Sequence, residues 1–243
     1  MSIHSIVLAD DHPAFMEGVS MKLERETNLK IVGRAYNGEE ALELVTANPP
    51  DLLLIDMDMP LMTGLEVVRF LHQRGVESKV LPLSGHADPE YVMGTLEAGA
   101  SGYVMKNESL STIVNAVKEV LRGGVYISPR VSQQIVTRQM NSHNREKEIE
   151  NATQQLLKLG ITPKLLRILL QVAQGQNNAQ IAEKMFKSEH TVRNQVDRLK
   201  AASGVRWRPA IVAWAWRLGV FEIDVYEYEK TFEEAEFVRK NKS

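Results

Sequence analysis

The chain has no cysteine among its 243 residues. That absence excludes a disulfide scaffold, a thiol nucleophile and thiolate zinc sites. It also lacks any apolar run of about 18 residues, so the sequence offers nothing to span a bilayer. The opening residues, MSIHSIVLADDHP, hold a short apolar run broken by an acid pair. They lack the basic start, long apolar stretch and small-residue cleavage site of a secretory leader. A cytoplasmic address with no membrane partner is the expectation. There is no internal repeat and no low-complexity tract. What remains is ordinary for a globular protein: 44% apolar and 25% charged residues. The length suits one or two domains.

The small net charge of −2 hides an asymmetry. Residues 1–124 carry 10 Lys and Arg against 18 Asp and Glu, a net of −8. Residues 125–160 carry 5 against 3, and residues 161–220 carry 10 against 3, a net of +7. Residues 221–243 return to 4 against 7. A basic block joined to an acidic one suggests a nucleic-acid reader attached to something else.

Within residues 1–124, short apolar runs alternate with helix-period stretches. Runs at 5–9, 30–36, 51–55, 79–83 and 102–105 read as strands, apolar on both faces as buried parallel strands require. Helical patterns lie near 14–26, 38–48, 64–74, 89–98 and 109–122. Five strands alternating with five helices imply a doubly wound α/β domain with a five-stranded parallel sheet. Residues 125–160 have sparse apolar positions and read as a partly helical linker, in preference to a helix pairing with a second chain through Ile149, Leu156 and Leu157. Residues 161–220 carry four short helical patterns, with Thr162-Pro163 and Ser188 as start signals and Gly175 and Gly204 as stops. They imply an all-α domain. Residues 221–243 form an acidic C-terminal tail.

Ligands of an open parallel sheet sit at the carboxyl ends of its strands. That rule brings together Asp10 and Asp11 after the first strand, Asp56 after the third, Ser84 after the fourth and Lys106 after the fifth. Any one of these acids alone would read as a helix cap. Three carboxylates, a hydroxyl and an ammonium at consecutive strand ends form a site. Carboxylate oxygens with few protein ligands suit magnesium, which takes phosphate oxygens as further ligands.

The Asp10-Asp11 pair, Asp56-Met57-Asp58-Met59-Pro60-Leu61-Met62-Thr63-Gly64, Ser84 and Gly102-Tyr103-Val104-Met105-Lys106 resemble the receiver domain of two-component response regulators, over essentially all of residues 1–124. The resemblance implies that Asp56 is the phosphoacceptor, with a sensor histidine kinase as donor. It implies that the carboxylates of Asp11 and Asp56 bind Mg2+ with the backbone carbonyl of Asp58, Asp10 acting beside Asp11. Lys106 would pair with the phosphoryl group. Ser84 would be the switch hydroxyl and Tyr103 the aromatic whose rotamer follows it. The chemistry is consistent. A carboxylate can attack a phosphohistidine to give an acyl phosphate, and metal and lysine stabilise the transferring group by charge. Two departures stand out: Pro82 inside the fourth strand, where a ladder donor is lost, and Asn107 where many receivers carry proline.

In the basic block, Val192, Val196 and Leu199 share one helix face, with Arg193, Asn194, Asp197 and Arg198 on the other. Ile181, Ala182 and Met185 give the preceding helix a matching apolar stripe. Two helices joined by a short turn fit a helix-turn-helix reader of the major groove. Arg can read guanine and Asn adenine, with Lys187, Lys200, Arg206 and Arg208 as phosphate contacts. The runs Ile161-Thr162-Pro163-Lys164, Gln176 to Ala182, Thr191-Val192-Arg193 and Gly204-Val205 resemble the LuxR-type DNA-binding domain of the NarL/FixJ subfamily. That resemblance implies double-stranded DNA as partner, base-facing positions at Arg193, Asn194 and Asp197, and a homodimer reading two half-sites. Trp214 and Trp216 are candidates for the dimer contact or for ordinary core. The match departs at Leu165, where the family usually has a glutamate pairing with the arginine matched by Arg208. It departs also at Gln195 and at Ala202-Ser203.

The expected protein is a phosphorylation-controlled transcription regulator, not an enzyme. One rival is a signalling adaptor whose receiver acts on a protein partner and whose helical domain no longer binds DNA. A second is a phosphatase with Asp56 as nucleophile and Asp58 as acid, against which the Asp10-Asp11 pair, Ser84 and the basic block argue. A third is regulation without phosphorylation.

Overall fold

The computed structural model describes residues 2–140 and 145–240. They form two compact units divided between Ser132 and Gln133. In the first unit, β1 (His4–Ala9), α1 (Pro13–Leu23), β2 (Leu29–Ala35), α2 (Gly38–Ala47), β3 (Leu52–Asp56), α3 (Gly64–Gln73), β4 (Lys79–Ser84), α4 (Pro89–Glu97), β5 (Val104–Met105) and α5 (Leu110–Leu121) alternate along the chain. The sheet is all parallel in the order β2-β1-β3-β4-β5. This is the doubly wound fold that the alternation implies. Every residue of central β3 is buried, as a strand covered on both faces requires. On one face, Ile6, Leu8, Leu52, Leu54, Leu81 and Leu83 pack under Met16, Val19 and Leu23 of α1 and Ile113, Val117 and Val120 of α5. On the other, α2 packs on β1 and β2 and against α3.

Pro82 costs the sheet less than its position suggests. In a parallel strand, alternate residues direct their backbone groups to alternate neighbours. Leu83 O accepts from Met57 N, beyond β3, whereas Val80 O and Ser84 O accept from Ser101 N and Lys106 N on the β5 side. Pro82 therefore turns its donorless nitrogen toward β5, which is only 2 residues long. The ladder to β3 stays complete. The strand expected over 102–105 is shortened accordingly, and its outer edge is covered by the chain after α5. Tyr103 N donates to Tyr126 O at 2.7 Å, and Ser128 N to Tyr103 O at 3.0 Å. Val125 to Ser132 thus belong to the first unit.

The segment expected as a linker holds α6 (Pro129–Met140) and α7 (Arg145–Lys158); positions 141–144 lie outside the described residues. Then follow α8 (Pro163–Ala173), α9 (Asn178–Lys184), α10 (Glu189–Ser203), α11 (Arg208–Leu218), a single 3-10 turn (Val220–Glu222) and α12 (Val225–Lys240). Local signals set these ends. The hydroxyls of Thr162 and Ser188 accept from Leu165 N and Thr191 N, Asn177 forms a capping box with Gln180, and Gly204 closes α10 with φ 74°. Leu165, Leu166, Ile168, Leu169, Val196, Leu199 and Ile211 are buried together where α8, α10 and α11 meet. Trp216 donates its indole N–H to Ala173 O at 2.9 Å and is buried inside this unit, so it serves the core; Trp214 is half-buried.

Of the three residues weighed as a second-chain contact, Leu156 and Leu157 are occupied internally and Ile149 is half-buried. Leu156 and Leu157 of α7 are buried within the second unit, where α7 meets α12 and the 3-10 turn. The acidic tail, up to its last described residue, is mostly α12. That helix is anchored by Tyr228, whose hydroxyl donates to the Ile161 carbonyl at 2.6 Å in a buried contact. Burial pushes the Tyr228 hydroxyl far above its ordinary pKa. Tyr228→Phe should leave Ile161 O without a donor and destabilise the second unit by about 1–3 kcal/mol. Trp207, Trp214 and Trp216 all lie in this unit, so urea unfolding followed by tryptophan fluorescence reads it selectively. An unchanged midpoint would reject the anchoring role.

Candidate functional site

The carboxyl edge of the sheet brings the expected acids together. Asp10 and Asp56 are only 3% and 1% exposed. Lys106 Nζ lies 2.6 Å from Asp56 Oδ2 and 2.9 Å from Asp10 Oδ2. The second contact is an ion pair without hydrogen-bond alignment, and Asp10 Oδ2 is a buried oxygen that lacks an aligned donor. Asp11, half-buried, has a buried Oδ1 in the same condition. The pocket is shaped by its neighbours. Asp58 N donates to Asp56 Oδ1 at 3.2 Å. A Cβ on Gly64 would collide with the Asp56 carbonyl oxygen, which is why the turn after β3 takes glycine where α3 starts. The Phe15 ring of α1 lies 5.3 Å from Lys106 Nζ, a cation–π distance.

Burial holds the Asp56 carboxyl above the usual carboxylate range, although Lys106 and the Asp58 N–H pull it down. Burial alone would lower Lys106, but its contacts with Asp56 and Asp10 outweigh that and raise it. Ser84 is fully buried, and its Oγ accepts from His86 N at 3.0 Å. Tyr103 is fully buried too; its hydroxyl donates to His86 O at 2.9 Å. The loop after β4 is therefore held from both sides. The Asp58 side chain is exposed and lies 3.4 Å from His86 Nε2, away from the acid cluster.

Sequence reasoning missed His12, Phe15 and His86. His12 Nδ1 is 2.7 Å from Asp11 Oδ1, and its backbone N–H donates to Asp10 Oδ1 at 2.9 Å. One oxygen or nitrogen from each of Asp10, Asp11, His12 and Asp56 falls within a 4.8 Å span. Adjacency to the acid pair was the available signal for His12. Buried carboxylate oxygens without an aligned hydrogen-bond donor are a hard-oxygen set that a divalent cation fits.

In the second unit, α10 presents Arg193, Asn194, Asp197 and Arg198 to solvent while Val192, Val196 and Leu199 are buried. Asn194 Nδ2 lies 3.2 Å from His190 Nε2. Lys200 pairs with Asp197 at 3.1 Å, which offsets the carboxylate on this face. Arg206 is exposed and Lys187 half-buried. Arg208 departs from the expected phosphate contacts. Its guanidinium turns inward, donating to Asn178 Oδ1 at 2.8 Å and to the Gln176 carbonyl. Burial lowers its pKa to about 10. With Leu165 buried where a glutamate was expected, two neutral acceptors take the place of a carboxylate, and the charge is spent on holding the start of α9.

Residues 6–118 match the response regulator receiver domain family, and residues 160–215 match the bacterial regulatory proteins of the luxR family. The chain is 36% identical over 216 residues to the transcriptional regulatory protein DegU of Brevibacillus brevis, covering 85% of this chain and 90% of that one. It is 33% identical over 220 residues to the transcriptional regulatory protein LnrK of Bacillus subtilis, covering 88% and 97%. A crystal structure of a LuxR-family two-component response regulator from Aurantimonas sp. is 31% identical, with a TM-score of 0.55, over 58% of this chain and 100% of that one.

The pocket predicts a pH-dependent penalty for losing its lysine. Asp56 holds its proton more tightly folded than unfolded, so its ionisation costs stability as pH rises through the carboxylate range toward its raised value. Lys106 offsets that cost while it is charged. Lys106→Met should be nearly as stable as wild type near pH 4 and lose on the order of 3 kcal/mol near pH 7.5, the low end for breaking a buried pair. Thermal melts at both pH values check this. A deficit independent of pH would mean that Lys106 acts by packing alone.

Proposed function

The chain belongs to the response regulators that join a receiver domain to a LuxR-family DNA-binding domain, and from that premise we propose that a phosphoryl group on Asp56 controls DNA engagement by α10. The observation that carries the proposal is the buried Asp10–Lys106–Asp56 constellation at the carboxyl edge of the sheet. Asp56 is the acceptor because its Oδ2 is the carboxylate oxygen nearest the lysine, in the pocket where the strand ends converge. The donor is a phosphohistidine of a sensor kinase. The carboxylate forms a bond to phosphorus as the imidazole leaves, giving an acyl phosphate. Lys106 then faces the new phosphoryl oxygens and offsets their charge. Asp11 and Asp56, with the Asp58 carbonyl and with Asp10 beside them, would hold Mg2+, which supplies charge neutralisation of the transferring group. Ser84 and Tyr103 are the switch pair: a hydroxyl drawn toward phosphoryl oxygens would reorganise the His86 loop that both side chains bind.

On the DNA side, α10 reads base edges through Arg193, Asn194 and Asp197, with Arg198, Lys187, Lys200 and Arg206 toward phosphates. Two chains pair so that two α10 helices meet two half-sites.

The phosphoacceptor assignment is tested with acetyl phosphate and magnesium. Intact mass should show one added phosphoryl group on the wild type and none on Asp56→Asn. Labelling that survives the substitution sinks the assignment. The DNA assignment has its own test. Arg193→Ala should cost roughly 1–3 kcal/mol and relax specificity at one base pair. Arg206→Ala should weaken all sequences alike and flatten the salt dependence by about one counterion. Absence of salt-sensitive retention on any genomic DNA would replace this reading with the adaptor.

A further inference from the structure

Lys106 is positioned by its backbone as well as by its carboxylate partners. Its own N–H donates to Ser84 O at 2.9 Å, and the preceding N–H, that of Met105, donates to Ser128 Oγ at 2.8 Å. Ser128 is fully buried. Its N–H donates to Tyr103 O at 3.0 Å, and its carbonyl accepts from Val131 N at 2.9 Å and Ser132 N at 3.1 Å in the first turn of α6. Tyr103 N is held by Tyr126 O at 2.7 Å. On the other side of this strap, the Tyr126 hydroxyl donates to Glu108 Oε2 at 3.1 Å. A side chain at Gly102 would strike Tyr126 O at 2.6 Å, so the strap lies directly against the strand.

Alternation along β5 explains this layout. Val104 and Lys106 address β4, whereas Tyr103 and Met105 address the strap. The peptides on either side of Met105 are thus fixed to two different things: the residue carrying the switch hydroxyl and the residue that opens α6. Among the described residues, Ser128 supplies the side-chain oxygen that accepts from the Met105 N–H, and a buried amide without a partner is costly.

We infer that Ser128 is a positioning residue: its hydroxyl fixes the backbone that carries Lys106 while its main chain starts α6, so a shift of Lys106 is transmitted to the beginning of that helix. The inference rests on the proposed role of Lys106 toward a phosphoryl group on Asp56. The signal leaves the pocket through the β5 edge and the strap at 126–128, and enters the helix that continues toward the DNA-binding unit in sequence.

Hydrogen exchange read by mass spectrometry on the full chain tests it. In wild type, treatment with acetyl phosphate and magnesium should change exchange of a peptide covering 126–132 at least twofold. In Ser128→Ala, labelled to the same stoichiometry, the peptides around 56, 84 and 106 should still respond while 126–132 does not. Ser128→Thr, which keeps the oxygen, should restore the response. A merely structural serine would raise basal exchange without removing the response. A second arm needs neither a phosphoryl group nor a change at Ser128: Lys106→Met should by itself alter exchange over 126–132. Failure of wild type to take the label, with the Lys106→Met effect present, overturns the phosphoacceptor reading and leaves the coupling standing. An unresponsive 126–132 peptide in labelled wild type, an undiminished response in Ser128→Ala, or no effect of Lys106→Met overturns the coupling.

Discussion

Everything at the carboxyl edge of the first unit depends on one ammonium group placed between two buried carboxylates. Asp10 and Asp56 sit at the ends of adjacent strands because β1 pairs directly with β3. The parallel register therefore forces two like charges into one poorly solvated corner. Lys106, at the end of the short β5, is the described cation that reaches both. Such an arrangement gains little net stability, since desolvation of the three groups offsets much of their attraction. The large apolar core under α1 and α5 supplies the folding free energy and tolerates the pocket. The corner keeps a strong field, and it has buried oxygens whose hydrogen bonding is incomplete. Those are the conditions under which an added cation or phosphoryl group alters the local energetics most.

The pocket was legible in the sequence because its signals are local. Each acid follows a short apolar run directly, and the strand-end rule converts that adjacency into spatial convergence. The helices of the second unit were legible for the same reason: Thr162, Ser188 and Gly204 are start and stop signals at the positions where they act. What escaped depends on contacts between distant residues. Ser128 meets Met105 across 23 positions, Tyr228 meets Ile161 across 67, and Arg208 meets Asn178 across 30. No pattern of polarity announces that a serine will accept from a strand edge, or that an arginine will turn inward. Pro82 shows the converse. Its identity was plain, but its cost could be judged only once the side of the strand facing β5 was known.

The second unit also shows why sparse apolar patterning misleads. Helix α7 offers few hydrophobic residues, and a solvated linker was the natural reading. Ala152, Leu156 and Leu157 nevertheless bury against a unit that already has its own core. A helix added to a formed surface needs only a narrow stripe, whereas a helix that nucleates a core needs a wide one. The same holds for α12, where Tyr228 among many acids supplies the anchor and an exposed ion pair between Arg167 and Glu229 at 2.9 Å adds little.

Charge asymmetry sets a bound on how control can pass along the chain. Residues 1–124 carry −8 and residues 161–220 carry +7, so attraction between acidic and basic surfaces is available as a restraint on DNA binding. An acyl phosphate of about −2 replaces the single charge of the Asp56 carboxylate, so phosphorylation adds only about −1 to the acidic side. That increment is small against the charge already present, and its sign strengthens the attraction. Screening over roughly 8 Å at physiological salt weakens its reach further. Net charge is therefore a poor carrier for a signal that frees the basic unit. A change in hydrogen-bonded geometry is screened far less, because it acts through contacts of about 3 Å inside the fold. The path from Asp56 through Lys106, Met105 and Ser128 consists of such contacts and leads into a helix, which conveys displacement along its axis without depending on the surrounding salt. On the proposed reading, local geometry at the β5 edge is therefore a better carrier of the signal than net charge.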